Sequence, residues 1–155
     1  MRLFLSAVAT LVAFTGCSHN NAFDRFEMSA QRERSEESIQ SAKLVAQNDV
    51  QGVATAVYLS RVDPGFYGDA EYFYIYLNSN NNQNEPLFIL NDSPALLVEE
   101  LPRENIFTNL TQFSAAWKRY YFVGFAKQND VKDFKLQIQG EPGNALFMYK
   151  AVQEQ

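Results

Sequence analysis

Cys17 and His19 are the chain's one cysteine and one histidine, and they stand two positions apart in "LVAFTGCSHN" (11–20). A thiol near an imidazole is the raw material of a nucleophile–base pair or of half a zinc site. Two ligands fall short of zinc's four, and a flexible tether is a poor place to fix the rest. Carboxylates are the next candidates. Glu99 and Glu100 are adjacent, so on a strand they point to opposite faces and cannot share an acid–base task. Asp63, Asp69 and Asp92 fall in turn-like stretches. They would bind Ca²⁺ only if those loops converged, their spacing is not that of an EF-hand, and turn formation accounts for them. The chain also contains neither a G-x-S-x-G elbow nor a phosphate-cradling glycine loop. The expectation is a non-enzymatic protein with no cofactor and no metal.

Tyrosine is what remains. In "AEYFYIYLN" (70–78) strict alternation puts Phe73, Ile75 and Leu77 on one face and Tyr72, Tyr74 and Tyr76 on the other. Tyr120 and Phe122 are out of phase with Tyr121, Val123 and Phe125 in "WKRYYFVGFA" (117–126), and so extend the same row. Tyrosine offers large, rigid contact area with a polar tip. Tyr72, Tyr74, Tyr76, Tyr120 and Phe122 therefore form the candidate binding face. The same pattern also fits a face covered by an N-terminal helix, or ordinary cross-strand aromatic packing.

The N-terminus has the layout of an export signal. Arg2 precedes an apolar run over 3–14 that only Ser6 and Thr10 interrupt, and Thr15 and Gly16 follow. The run is shorter than the roughly 20 residues of a membrane-spanning helix. A lone cysteine in an exported chain is a free thiol, an intermolecular disulfide or a modified residue. Phe14, Thr15, Gly16 and Cys17 together resemble the lipobox of bacterial lipoproteins, with Phe14 where leucine is usual. That resemblance implies a diacylglycerol on the Cys17 thiol, cleavage after Gly16 and acylation of the new N-terminus. Two or three acyl chains, at about 0.8 kcal/mol per buried CH₂, anchor far more firmly than one. Ser18 resembles the residue that follows the cysteine in lipoproteins sorted to the outer membrane. The expected partners are thus a membrane, through Cys17, and a second protein of the bacterial cell envelope. Loss of 1–16 removes Arg2 and no acid, leaving 12 basic against 18 acidic side chains. Nucleic acid is excluded as a partner, since phosphate binding needs clustered cations.

Composition, pattern and the lipobox resemblance together imply four segments: a signal peptide at 1–16, a lipidated tether at 17–28, a helical spacer at 29–48 and a strand-rich domain at 51–155. The spacer has no Gly or Pro and many good helix formers. Its apolar residues, Ile39, Ala42, Leu44, Val45 and Ala46, gather in the second half. Beyond it, short strands are expected at 53–60, 70–78, 87–91, 95–101, 117–126, 131–139 and 145–152, while 105–113 reads equally as strand or helical turn. Seven or eight such strands predict an immunoglobulin-like antiparallel β-sandwich preceded by an N-terminal helix; a small β-barrel is the other option. Lipobox, helical spacer and strand region together resemble the small Ig-like lipoproteins of epsilon-class proteobacteria. An anchor, a spacer and a domain with an aromatic sheet face lead to the expectation of a protein-binding or scaffolding module. The alternative is a small-ligand or glycan binder that uses the aromatic sheet face.

Overall fold

The computed structural model of the chain describes residues 30–79, 84–110, 118–141 and 143–151. The export segment, Cys17, the tether and His19 lie outside these residues. Among the described residues, no helix is long and apolar enough to cross a membrane.

Helix α1 (Ala30–Ser38) leads directly into β1 (Ile39–Ala46) and β2 (Asp49–Tyr58). Two short helices follow, α2 (Leu59–Val62) and α3 (Pro64–Tyr67), and then β3 (Glu71–Ser79), β4 (Leu87–Leu90), β5 (Ser93–Pro94) and β6 (Leu97–Leu101). A 3₁₀ turn at Thr108–Leu110 precedes β7 (Lys118–Phe125), β8 (Asp133–Gln139) and β9 (Ala145–Lys150). The strands make two sheets, ordered β1-β2-β3-β7-β6 and β5-β4-β8-β9, and every pairing is antiparallel.

Two expectations are corrected here. The helix expected over 29–48 stops at Ser38, and Ile39–Ala46 is a strand. The reason is the next turn. Gln47 and Asn48 both adopt positive φ, 51° and 71°, the geometry of a two-residue hairpin whose twist matches its strands. It folds Ile39 back onto Val57 and Ala42 onto Ala54, and sends Leu44 into the core. Burial and a full ladder with β2 outweigh a modest helix propensity. The strand count is nine rather than seven or eight, because β1 and the two-residue β5 are added. The ambiguous 105–113 stretch gives a 3₁₀ turn as far as Leu110.

The inner faces of the two sheets bury one core. From the first sheet come Tyr58, Phe73, Ile75, Leu77, Tyr121, Val123 and Phe125, and from the second Phe88, Leu90, Phe134, Leu136, Ile138, Phe147 and Tyr149. In β8 and β9 burial alternates residue by residue, as expected of a sheet with one wet face. β3 behaves differently: it is buried on both faces along most of its length. A second apolar cluster therefore lies on the outer side of the first sheet.

The two sides of the sandwich also differ. On one side β1 leans onto β9: Val45 N–H donates to the Asn144 carbonyl at 3.0 Å, and Asn144 N–H donates back at 2.8 Å. The Gln40 carboxamide extends this contact, donating to the Met148 carbonyl at 2.6 Å and accepting from its N–H at 3.3 Å. Gly143, at φ 109°, allows the approach, since a Cβ there would sit 2.8 Å from the Val45 nitrogen. On the other side β6 and β5 are the sheet edges, with no further strand beside them among the described residues.

Candidate functional site

The five residues of the expected aromatic face do come together. β3 and β7 pair so that Tyr76 opposes Tyr120 and Tyr74 opposes Phe122. Tyr72 opposes Gly124, and its ring lies over the space that a Cβ at Gly124 would need. It is thereby free to lean on Phe122, with ring centroids 5.2 Å apart and planes 10° apart. Tyr74 stacks on Tyr120 at 6.3 Å and 9°.

The row is nevertheless not a free surface. Tyr74, Tyr120 and Tyr76 are only 1%, 2% and 9% exposed. Leu59 and Val62 of α2 pack over them with Phe107, whose ring stacks on Phe122 at 5.6 Å and lies 5.0 Å from Tyr74. α1 reinforces this cover: Ser35 Oγ donates to the Leu110 carbonyl at 3.1 Å, and Arg34 Nη1 to the Val62 carbonyl at 3.4 Å. Burial pushes the Tyr76 hydroxyl pKa above its ordinary value. The side chains that looked most like a binding face are thus largely a second core. Their apolar area is removed from water by the helices and the 3₁₀ segment, which is what β3's two apolar faces require.

A rim stays open. Tyr72 and Phe122 are half-buried, and Tyr67 packs against both. Beside them a cleft of about 250 Å³ runs between the short helices and the 106–110 segment, with exposed Phe66 and Ile106 at its lips. Across Gly124 from Tyr72 sits Leu97 of β6. Leu96, Leu97 and Val98 are all exposed, Leu96 at 76%. Register places Leu97 opposite Gly124 and Val98 opposite Val123, so these two side chains point to different faces of the same edge.

The carboxylates are also placed. Glu99 and Glu100 project to opposite sides of β6, as adjacency requires. Arg119 grips Glu100 with two nitrogens, Nε at 3.0 Å and Nη2 at 2.7 Å. That hydrogen bonding lowers the Glu100 pKa and raises that of Arg119. Asp63 caps α3, accepting from Phe66 N–H at 3.3 Å. Asp92 and Asn91, both at positive φ, form the β4–β5 turn. Among the described residues, no three metal-ligating side chains gather in one place.

Glu71 was missed in the sequence. It is a buried carboxylate that accepts from the Tyr58 hydroxyl at 2.5 Å and from Gln128 N–H at 3.4 Å, with Lys127 Nζ at 3.5 Å. Burial, and then the adjacent carboxylate, push the Tyr58 pKa far up. The Gln128 side chain continues the network to the Leu90 carbonyl and to Asn91. These contacts join β2 and β3 to the β7–β8 connection, a structural task. Its signal was in plain view: alternation that turns Phe73 and Ile75 inward turns Glu71 inward too.

The geometry defines a β-sandwich of two antiparallel sheets, covered by helices on one outer face, with no strand beyond β6 or β5 among the described residues. Compared with known proteins, the chain matches no family model, no characterised protein and no solved structure.

Proposed function

We propose that the chain is a lipid-anchored, non-enzymatic binding module of the bacterial cell envelope, held to the outer membrane through Cys17. Its domain, on this reading, is an immunoglobulin-like sandwich. The strand order supports that assignment: β2-β3-β7-β6 facing β5-β4-β8-β9 has the order A-B-E-D facing C′-C-F-G. β1 is then an extra strand beside A. One cysteine and one histidine, both ahead of the domain, support the absence of thiol or imidazole chemistry within it.

The observation that carries the function is the β6 edge, which has no strand beside it among the described residues. Natural sheets blunt their edges with lysines, prolines, bulges or covers. Here the β9 edge is occupied by β1 and Gln40, and β5 is two residues long and ends in a proline. β6 instead presents Leu96, Leu97 and Val98 exposed, beside an exposed Glu99. This edge suits an extended partner segment that adds as a sixth strand, with backbone hydrogen bonds giving affinity and alternate side chains giving specificity. Glu99 and the chain's net charge of −5 favour a partner segment that is basic as well as apolar.

The test is a photo-crosslinking residue at position 96 in the native envelope. The expected result is one crosslinked protein, lost when Leu97 and Val98 are both changed to lysine and kept when Leu146 is. A crosslink indifferent to the edge lysines refutes docking at β6. The anchor is tested separately. Cys17→Ser should abolish fatty-acid labelling and membrane fractionation, and unchanged labelling refutes it.

A further inference from the structure

The side of the sandwich opposite β6 holds a second feature. Where β1 is joined to β9 through Val45 and Asn144, a cleft of about 430 Å³ opens between β1 and the β8–β9 hairpin. That volume is within the range of small-molecule sites. Its lining includes Lys43 from β1, Lys135, Gln137 and Gln139 from β8, then Asn144 and Leu146, and no carboxylate. Acidic side chains outnumber basic ones 18 to 13 over the whole chain, so a concave wall with two lysines and no acid reverses the overall sign. Neither ammonium has an ion-pair partner among the described residues.

The carboxamides add direction. Gln139 Nε2 donates to Gln137 Oε1 at 3.3 Å. This leaves the Gln137 NH₂ as a donor and the Gln139 carbonyl as an acceptor, both on the outer face of β8. Ammonium groups supply strong point charges for a carboxylate or phosphate. Carboxamides, which donate and accept, match hydroxyl groups that do the same. Exposed Leu146 offers an apolar patch for C–H surface.

We propose that this cleft binds an acidic saccharide, its carboxylate or phosphate held between Lys43 and Lys135 and its hydroxyls read by Gln137, Gln139 and Asn144. The site differs from the aromatic face in both place and chemistry, and it is independent of docking at β6. Lysines on a sheet edge serve to repel other strands, but Lys135 stands on the interior strand β8; the gathering of two lysines and three carboxamides in the lining of one cleft is what points to a ligand.

The experiment uses the isotope-labelled full chain in lauryldimethylamine oxide, a detergent with neither sugar nor phosphate. Amide shifts are followed during titration with digalacturonate, with galactobiose as its neutral counterpart, with galactose 6-phosphate and with inorganic phosphate. The expected result is saturable shifts at 43, 135, 137, 139 and 144 with digalacturonate, with galactose 6-phosphate or with both, and much weaker ones with galactobiose and inorganic phosphate. The ratio of the two acidic ligands then assigns the anion. Lys43→Gln and Lys135→Gln should each weaken binding about tenfold, and added salt should weaken it further. Both lysines are on the surface, so the variants keep the parent spectrum elsewhere. Equal binding of galactobiose or of inorganic phosphate, unchanged affinity in both variants, or no shift at these positions overturns the proposal.

Discussion

Phe107→Ala is the most direct check on the claim that the aromatic row is a covered core. Phe107 is 5% exposed, and its ring lies 5.0 Å from Tyr74, 5.6 Å from Phe122 and 6.4 Å from Tyr67. Removing a buried phenylalanine forfeits a transfer term of up to about 3 kcal/mol. Lost ring–ring contacts add about 1 kcal/mol. The segment that carries Phe107 is a loop with room to settle into the gap, which favours the lower end of the usual phenylalanine-to-alanine range, about 3 kcal/mol. Urea unfolding followed by near-ultraviolet circular dichroism reads this directly, with an unchanged slope showing that stability alone has moved. Ile106→Ala, next in sequence but exposed, should stay within about 0.5 kcal/mol of the parent. A Phe107→Ala loss below about 1 kcal/mol would refute the reasoning, because the 106–110 segment would then not be what covers the tyrosines.

Four further outcomes are expected. Tyr149 donates its hydroxyl to the Ala56 carbonyl at 2.6 Å, whereas the buried Tyr121 hydroxyl has no hydrogen-bond partner among the described residues. Tyr149→Phe should cost about 1–2 kcal/mol and Tyr121→Phe should be neutral or stabilising; equal destabilisation by both would contradict these assignments. Burial raises the pKa of Tyr58, Tyr76, Tyr121 and Tyr149 above the ordinary value near 10. A folded pKa above the unfolded one leaves stability intact below about pH 10 and removes it as pH rises further. Tyrosinate absorbance from these four should thus appear together with unfolding, and ionisation of all eight tyrosines near pH 10 in the folded state would disprove it. The Glu100 pKa is lowered by Arg119, so that pair contributes above the ordinary carboxylate pKa and is lost as pH falls through the folded value. Being partly exposed, it is held to under about 1 kcal/mol, and Glu100→Gln should flatten the acid limb of stability by that amount. Gln40→Ala frees the Met148 backbone groups on the β9 edge; light scattering should show new concentration-dependent association, and a strictly monomeric variant would argue against edge protection.

Alternation made the sandwich core legible. Phe73, Ile75 and Leu77 on β3, and Phe134, Leu136 and Ile138 on β8, are inward because period two leaves no other choice. β1 was not legible, since Ala, Leu, Val, Lys and Gln serve a helix as readily as a strand. Only the Gln47–Asn48 turn marks the hairpin, and its positive φ values rest on a preference of asparagine that is statistical rather than obligatory. The tyrosine row was correctly placed on one face, yet its exposure was beyond reach. Whether a second apolar face is wet depends on what packs over it, and Leu59, Val62 and Phe107 come from connections whose destinations local pattern does not specify. The cleft at Lys43 and Lys135 was hidden for a related reason: it joins strands from different sheets, and one of those strands had been read as helix.

That misreading bears on how the protein would stand at its membrane. A free helical spacer over 29–48 would hold the domain away from the bilayer by about 30 Å at 1.5 Å per residue. In the structure that length is inside the domain. α1 braces the cover of the aromatic core through Ser35 and Arg34, and β1 closes one side of the sandwich and supplies Lys43 to the cleft. With an anchor at Cys17, as proposed, thirteen residues, 17–29, separate it from α1, a length that reaches at most about 45 Å. Because α1 packs beside α2 and the 3₁₀ segment, the described chain begins at the domain's helical cover. The open β6 edge and the basic cleft, on the two sides of the sandwich, are both left clear of the point of attachment. A module that binds a protein at one edge and a saccharide at the other, as proposed, needs both sides clear of its attachment, and β1 folded into the sandwich, rather than continued as a helical stalk, leaves them so.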